Sequence, residues 1–188
     1  MAFSLKTRAL GLIGAAALSL TMVAPALAVD TVTQAITPGT LSASVADLTL
    51  TSVAYSHAVQ AQTGSMTLTA DDSTGSGAGW NVTILSSAFA YTAGGNGGSA
   101  IPAANFSLTS AAAPTSTAGQ AVDATDGPKV PTTSPVGTLD SSRKVVQANA
   151  GFGQGTYTQG LGVSLSIPEQ SRAGTYTGTL TTTIAAAP

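Results

Sequence analysis

Apolar and polar residues alternate along most of this chain. Leu41, Ala43 and Val45 fall on one side of an extended run, with Ser42 and Ser44 on the other. Leu48-Thr-Leu50, Met66-Thr-Leu68-Thr-Ala70 and Phe106-Ser-Leu108 repeat the pattern. Trp80, Val82 and Ile84 share a face opposite Asn81 and Thr83, and Leu161, Val163, Leu165 and Ile167 line up in the same way. A period of two marks strands, because successive side chains point to opposite faces of a sheet. The clearest case is the last. Thr175, Thr177, Thr179, Thr181 and Thr183 point one way; Tyr176, Gly178, Leu180, Thr182 and Ile184 point the other. This spacing predicts a strand with one wet and one buried face, and β-branched threonine suits the exposed side. Helical periodicity is nearly absent beyond residue 28.

Turn chemistry separates these runs: Asp72-Ser-Thr-Gly75, Gly94-Gly-Asn-Gly-Gly98, Asp126-Gly127 and Arg172-Ala-Gly174. Pro168 closes one strand and Gly174 opens the next, so the spacing predicts a terminal hairpin of Leu161–Ile167 against Thr175–Ile184. The segment from Ser110 to Thr138 is rich in Pro, Ala, Ser and Thr and poor in large apolar residues. It reads as a long surface loop, about 110–138. The predicted fold class is all-β: an antiparallel, Ig-like β-sandwich with that loop inserted.

The N-terminal stretch belongs to a different category. Lys6 and Arg8 precede an apolar run, Leu10–Ala24, which Pro25 interrupts before Ala26-Leu27-Ala28. These are the parts of a secretory signal peptide over residues 1–28, with cleavage between Ala28 and Val29. The apolar run is short for a membrane span, so no span is expected after cleavage. Residues 29–188 then form one domain, large enough for a core without disulfides, and the chain has no cysteine. Its basic residues are Lys129, Arg143, Lys144 and Arg172 against eight acidic ones, a net charge of −4. Nucleic acid and anionic membrane surfaces are poor partners for such a surface.

Catalytic and metal-binding signals are weak. His57 is the only histidine and sits in Tyr55-Ser-His-Ala-Val59; it reads as a loop or strand-end residue. No Gly-x-Ser-x-Gly elbow accompanies it. Asp71-Asp72-Ser-Thr-Gly75 lacks the alternating ligands and closing Glu of a calcium loop, and reads as a turn. Gly151-Phe-Gly-Gln-Gly155 is followed by a strand, where a phosphate loop needs a helix N-terminus. It reads as a bend. Glu169, the one glutamate, has no second carboxylate placed for glycoside hydrolysis. The sequence therefore predicts no catalytic residue, no metal and no cofactor.

The tail resembles the distal motif of WxL domains, surface domains of certain Gram-positive bacteria. That motif reads tyrosine, three residues, Leu-Thr-Trp, one residue, leucine, three residues, proline. Tyr176, Leu180, Thr181 and Pro188 match it, Ile184 stands for the leucine, and Thr182 stands where the family has tryptophan. Asp71 through Trp80-Asn-Val82 is similar to the family's earlier Trp-x-Leu segment, with Val82 for leucine. Gly151-Phe-Gly153, Ile167-Pro168 and Ala173–Tyr176 are similar to its approach to the last strand.

The resemblance implies a secreted, non-enzymatic protein of the cell surface. It would bind peptidoglycan or another cell-wall polymer non-covalently and be displayed with other surface proteins. It also implies cell-wall-binding roles for Trp80, Val82, Tyr176, Leu180, Thr182 and Ile184. Two readings of Trp80 stand together: core, since it shares a face with Val82 and Ile84, and ligand contact, since an aromatic ring can stack on a sugar. A different function class also fits the composition. The chain could be a structural subunit of an extracellular layer or fibre assembling by strand-edge contacts, with Val29 to Ile36 as candidate donor strand.

Overall fold

The computed structural model describes residues 31–187 apart from Asn96 and Ser134. The predicted signal peptide, 1–28, and Pro188 lie outside the described residues. The folded unit begins at Ile36. Its strands are β1 Leu41–Val45, β2 Gln60–Asp72, β3 Trp80–Ser86, β4 Ala90–Gly94, β5 Phe106–Ala111, β6 Thr115–Gly119, β7 Gly137–Thr138, β8 Arg143–Ala148, β9 Gly155–Ile167, β10 Gly174–Thr177 and β11 Leu180–Ala186.

All of the strand pairings are antiparallel. One sheet runs β1-β2-β9-β5-β7, with β6 also on β9; a second runs β11-β3-β8; β10 and β4 form a short ribbon. The all-β, antiparallel class follows from the sequence pattern as expected. Met66 and Leu68 from β2, Tyr157, Leu161 and Val163 from β9, and Leu108 from β5 meet Trp80, Val82 and Ile84 from β3 in one buried core. The alternation that marked these strands is therefore the alternation of core and surface.

The terminal hairpin is not formed. β9 has no edge left for the tail: β2 pairs along its whole length, and β5 and β6 occupy the other side. Thr175–Ile184 is also two strands. Its first part pairs with β4 and its second with β3. The break falls at Gly178-Thr179, where Thr179 exchanges hydrogen bonds with Ser87 through its carbonyl (2.9 Å) and its N–H (2.8 Å). A local signal of strand-turn-strand thus loses to competition for sheet edges.

The 110–138 segment lies largely on the surface, but it is tied down. β6 pairs with β9, β7 with β5, and Lys129 bridges Gln147. Pro114, Pro128 and Pro131 are buried although no large side chain accompanies them. Backbone pairing to a long neighbour replaces side-chain burial as the force that orders this stretch.

Candidate functional site

The two segments that resemble family motifs are adjacent strands. β3 and β11 pair so that Trp80 faces Ala186, Val82 faces Ile184, Ile84 faces Thr182 and Ser86 faces Leu180. Successive positions then divide between two faces. Inward lie Trp80, Val82 and Ile84, with Leu180, Thr182 and Ile184 half-buried beside them. Outward lie Thr181 and Thr183, exposed, next to Leu85 and Thr83.

Trp80 and Val82 have 0% exposure. A polymer lying on the folded domain cannot touch either, so of the two readings of Trp80 the geometry takes core. The indole Nε1–H donates to the Gly153 carbonyl at 2.8 Å, which satisfies the one polar group of a buried ring. Gly153 has φ +80, and a Cβ there would lie 2.7 Å from Trp80 Nε1 and 2.5 Å from the Ala148 Cβ. The bend Gly151-Phe-Gly153 is thus the receiver of the tryptophan. On its other side the ring meets Tyr157 of β9, centroids 6.1 Å apart, which joins the two main sheets. Burial, with the Asp72 charge adding to it, pushes the Tyr157 hydroxyl above its ordinary pKa. That hydroxyl donates to the Gln120 carbonyl at 2.8 Å.

The acidic turn before β3 is used internally. Asp71 accepts from Ser73 Oγ and Thr156 Oγ1, both at 2.6 Å, and these bonds hold its carboxyl below the usual range. Asp72 accepts from the Thr74 N–H (3.0 Å) and hydroxyl (2.6 Å). The carboxylates serve the turn chemistry the sequence suggested. Among the described residues no group of three His, Cys, Asp or Glu is placed to hold a metal. His57 is exposed, edge-on to Tyr55 with centroids 5.1 Å apart.

Tyr176 lies apart from the β3–β11 pair. It sits on β10, half-buried, with its ring edge-on to Tyr91 of β4 at 5.3 Å. Its hydroxyl donates to the Arg172 carbonyl at 2.9 Å. Tyr176 and Leu180 help line a groove of about 930 Å³ whose other wall is the 45–56 segment. Leu48 and Leu50 of that segment pack over Gly64 of β2. So the six motif positions separate: Trp80, Val82, Thr182 and Ile184 build the inner face, while Tyr176 and Leu180 border an opening.

Sequence reasoning missed the residues around that opening. Arg172 borders it too, and with Gln170 of the same turn and Tyr91 of β4 it lines a smaller adjoining cleft; the sequence marked Gly94–Gly98 and Arg172–Gly174 only as turns. Among the described residues no helix is long and apolar enough to cross a membrane.

A family model described as WxL domain surface cell wall-binding matches residues 20–188. No curated protein and no solved structure matches the chain.

Proposed function

Because the chain belongs to the WxL domain surface cell wall-binding family, we propose that it attaches non-covalently to peptidoglycan, without catalysis, through the outer face of its terminal strands. Association with the cell wall at the cell surface comes with the family. The polymer and the contact face are the further step.

One observation carries it: Thr175, Thr177, Thr179, Thr181 and Thr183 are all exposed, on a stretch whose backbone is fastened to β4 through β10 and to β3 through β11. Alternate strand positions lie about 6.7 Å apart. That spacing holds within β11, where Thr181 and Thr183 present neighbouring hydroxyls, each able to donate and accept; the β10 threonines extend the exposed side beyond the break at Gly178-Thr179, with the Thr177 hydroxyl already meeting Thr92 Oγ1 at 3.3 Å. In this reading Trp80, Val82, Thr182 and Ile184 are wall-binding residues by positioning. They hold the strand whose other face makes contact. Thr182 in place of tryptophan then changes packing on the inner face and leaves the contact row intact. Export through a signal peptide over 1–28 completes the proposal. Its test is co-sedimentation with purified sacculi: the wild-type protein is expected in the pellet, and a protein that stays in the supernatant contradicts the reading.

A second reading has its own observation. β1 and β11 each end a sheet with one partner, and Val32 and Ile36 are 96% and 91% exposed. Strand-edge assembly into a layer or fibre would use both features. Sedimentation velocity across a concentration series tests it; a single monomer boundary at every concentration contradicts it.

A further inference from the structure

Beside the large groove lies a smaller, more polar cleft of about 530 Å³, lined by Tyr55, Tyr91, Gly95, Gln170, Arg172 and Ala173. We propose that this cleft binds a saccharide unit carrying a carboxylate, with the sugar ring against Tyr55 and the carboxylate on Arg172.

The cleft has the composition such a ligand needs. Tyr55 is 55% exposed, so its ring is open to a ligand. His57, itself exposed, packs edge-on against it, 5.1 Å between centroids at 84°. An aromatic face offers apolar contact to the C–H face of a pyranose, and its hydroxyl rim meets the sugar's polar edge. Gln170 adds an amide, able to donate and accept at once. Arg172 is exposed and is the only charged residue among the described residues of the lining. In a domain of net charge −4, the other cations sit elsewhere. Lys129 bonds the Thr125 carbonyl, Arg143 bonds the Thr138 carbonyl, and Lys144 lies on β8. No acidic residue is among the described lining residues, and a planar guanidinium there matches a carboxylate bidentately.

The backbone under these groups is held unusually firmly for a surface turn. The Tyr91 hydroxyl donates to the Ala173 carbonyl at 3.0 Å, and the Tyr176 hydroxyl to the neighbouring Arg172 carbonyl at 2.9 Å. The Gln170 N–H donates to the Ser56 carbonyl at 3.0 Å, joining the turn to the Tyr55–His57 segment. Gln170 has φ +56, a left-handed conformation disfavoured for a residue with a side chain, and one that persists only where its surroundings impose it. Tyr91 is itself clamped: a Cβ on Gly98 would lie 2.7 Å from its Cδ2, so glycine there lets the chain close on the ring. Rigid placement lowers the ordering cost of binding. The family motif's Tyr176 thereby gains a role: it positions Tyr91 and Arg172.

The inference rests on the wall-attachment reading for its ligand class, its target being muramyl units whose lactyl carboxylate carries no stem peptide, yet its test separates the two. Isothermal titration is run with three probes: an N-acetylmuramic acid disaccharide without peptide, a neutral N-acetylglucosamine oligomer, and a stem peptide alone. The disaccharide is expected to bind, with the neutral oligomer and the peptide weaker by about tenfold or more, the loss of one charge-assisted pair or of the ring contact. Arg172→Gln is expected to remove the preference for the acidic sugar, and Tyr55→Ala to weaken both sugars. Circular dichroism melts on each variant establish that the fold is kept; both side chains are exposed, so both variants fold. Peptide binding as tight as the disaccharide overturns the saccharide assignment in favour of a carboxylate site. If protein and variants all pellet with sacculi but none prefers the acidic sugar, the cleft proposal falls and wall attachment stands. If wild type binds the disaccharide but does not pellet, the cleft stands and the threonine row falls.

Discussion

The Trp80 indole N–H ends on the Gly153 carbonyl at 2.8 Å, inside a pocket that a side chain at residue 153 would fill. The one tryptophan of the chain is thus a bolt between the start of β3 and the bend before β9. Trp80→Phe leaves the Gly153 carbonyl buried without a donor and is expected to cost about 1–3 kcal/mol. Trp80→Ala adds a cavity and is expected to cost about 3–5 kcal/mol. Urea denaturation measures both. A Trp80→Ala protein as stable as wild type would contradict the buried assignment.

Gly153→Ala probes the same contact from the other side. At φ +80 an alanine is strained, and its Cβ collides with Ala148 and the indole. The expected loss exceeds about 1 kcal/mol, seen as a lowered thermal midpoint, whereas Gly151→Ala meets open space and pays only the backbone strain. Equal effects at the two glycines would mean the tryptophan is not seated there.

Asp71 and Tyr157 give stability a pH dependence at opposite ends, and Asp123, whose carboxyl is held low by the Asp126 and Thr125 N–H groups, adds to the acid side. Asp71 is held below its ordinary pKa by Ser73 and Thr156. Its contribution is present above the unfolded value and is lost as pH falls through the folded one, below about pH 4. Tyr157 is held above its ordinary pKa by burial and by Asp72. Its contribution is full below the unfolded value and is lost as pH rises past about 10. Thermal midpoints across pH should therefore fall at both extremes. Asp71→Asn is expected to flatten the acid limb and Tyr157→Phe the alkaline limb, each at some cost in lost hydrogen bonds.

How much of this was legible beforehand depends on the range of the signal. The faces of β3 and of the tail could be read from alternation alone: Trp80, Val82 and Ile84 are buried, and the five odd-numbered threonines are exposed. The partners of those strands could not. Alternation around Leu161–Ile167 says which face is buried and nothing about which edges are taken, so the hairpin expectation failed against β2, β5 and β6. β6 escaped notice because Thr115–Gly119 carries no large apolar residue; its order comes from pairing with β9. β2 begins at Gln60, earlier than the Met66 signal, for the same reason. The choice for Trp80 between core and contact needed the position of Gly153. The Tyr55–Arg172 cleft joins residues from distant parts of the chain and left no local pattern.

Signal-peptide processing is checked most simply at the N-terminus of the exported protein. Edman sequencing is expected to begin at Val29. A chain beginning at Met1 would contradict cleavage after Ala28.

The account turns on which face of the last strand meets the wall. The decisive measurement compares sacculus co-sedimentation of Thr181→Ala/Thr183→Ala, on the exposed face, with Thr182→Val, on the inward face opposite Ile84. The outer double variant is expected to lose several-fold in pelleted fraction with an unchanged melting midpoint, the range of two lost hydrogen bonds. Thr182→Val is expected to pellet like wild type. The reverse result, with binding lost at Thr182 and kept in the outer pair, would contradict the account.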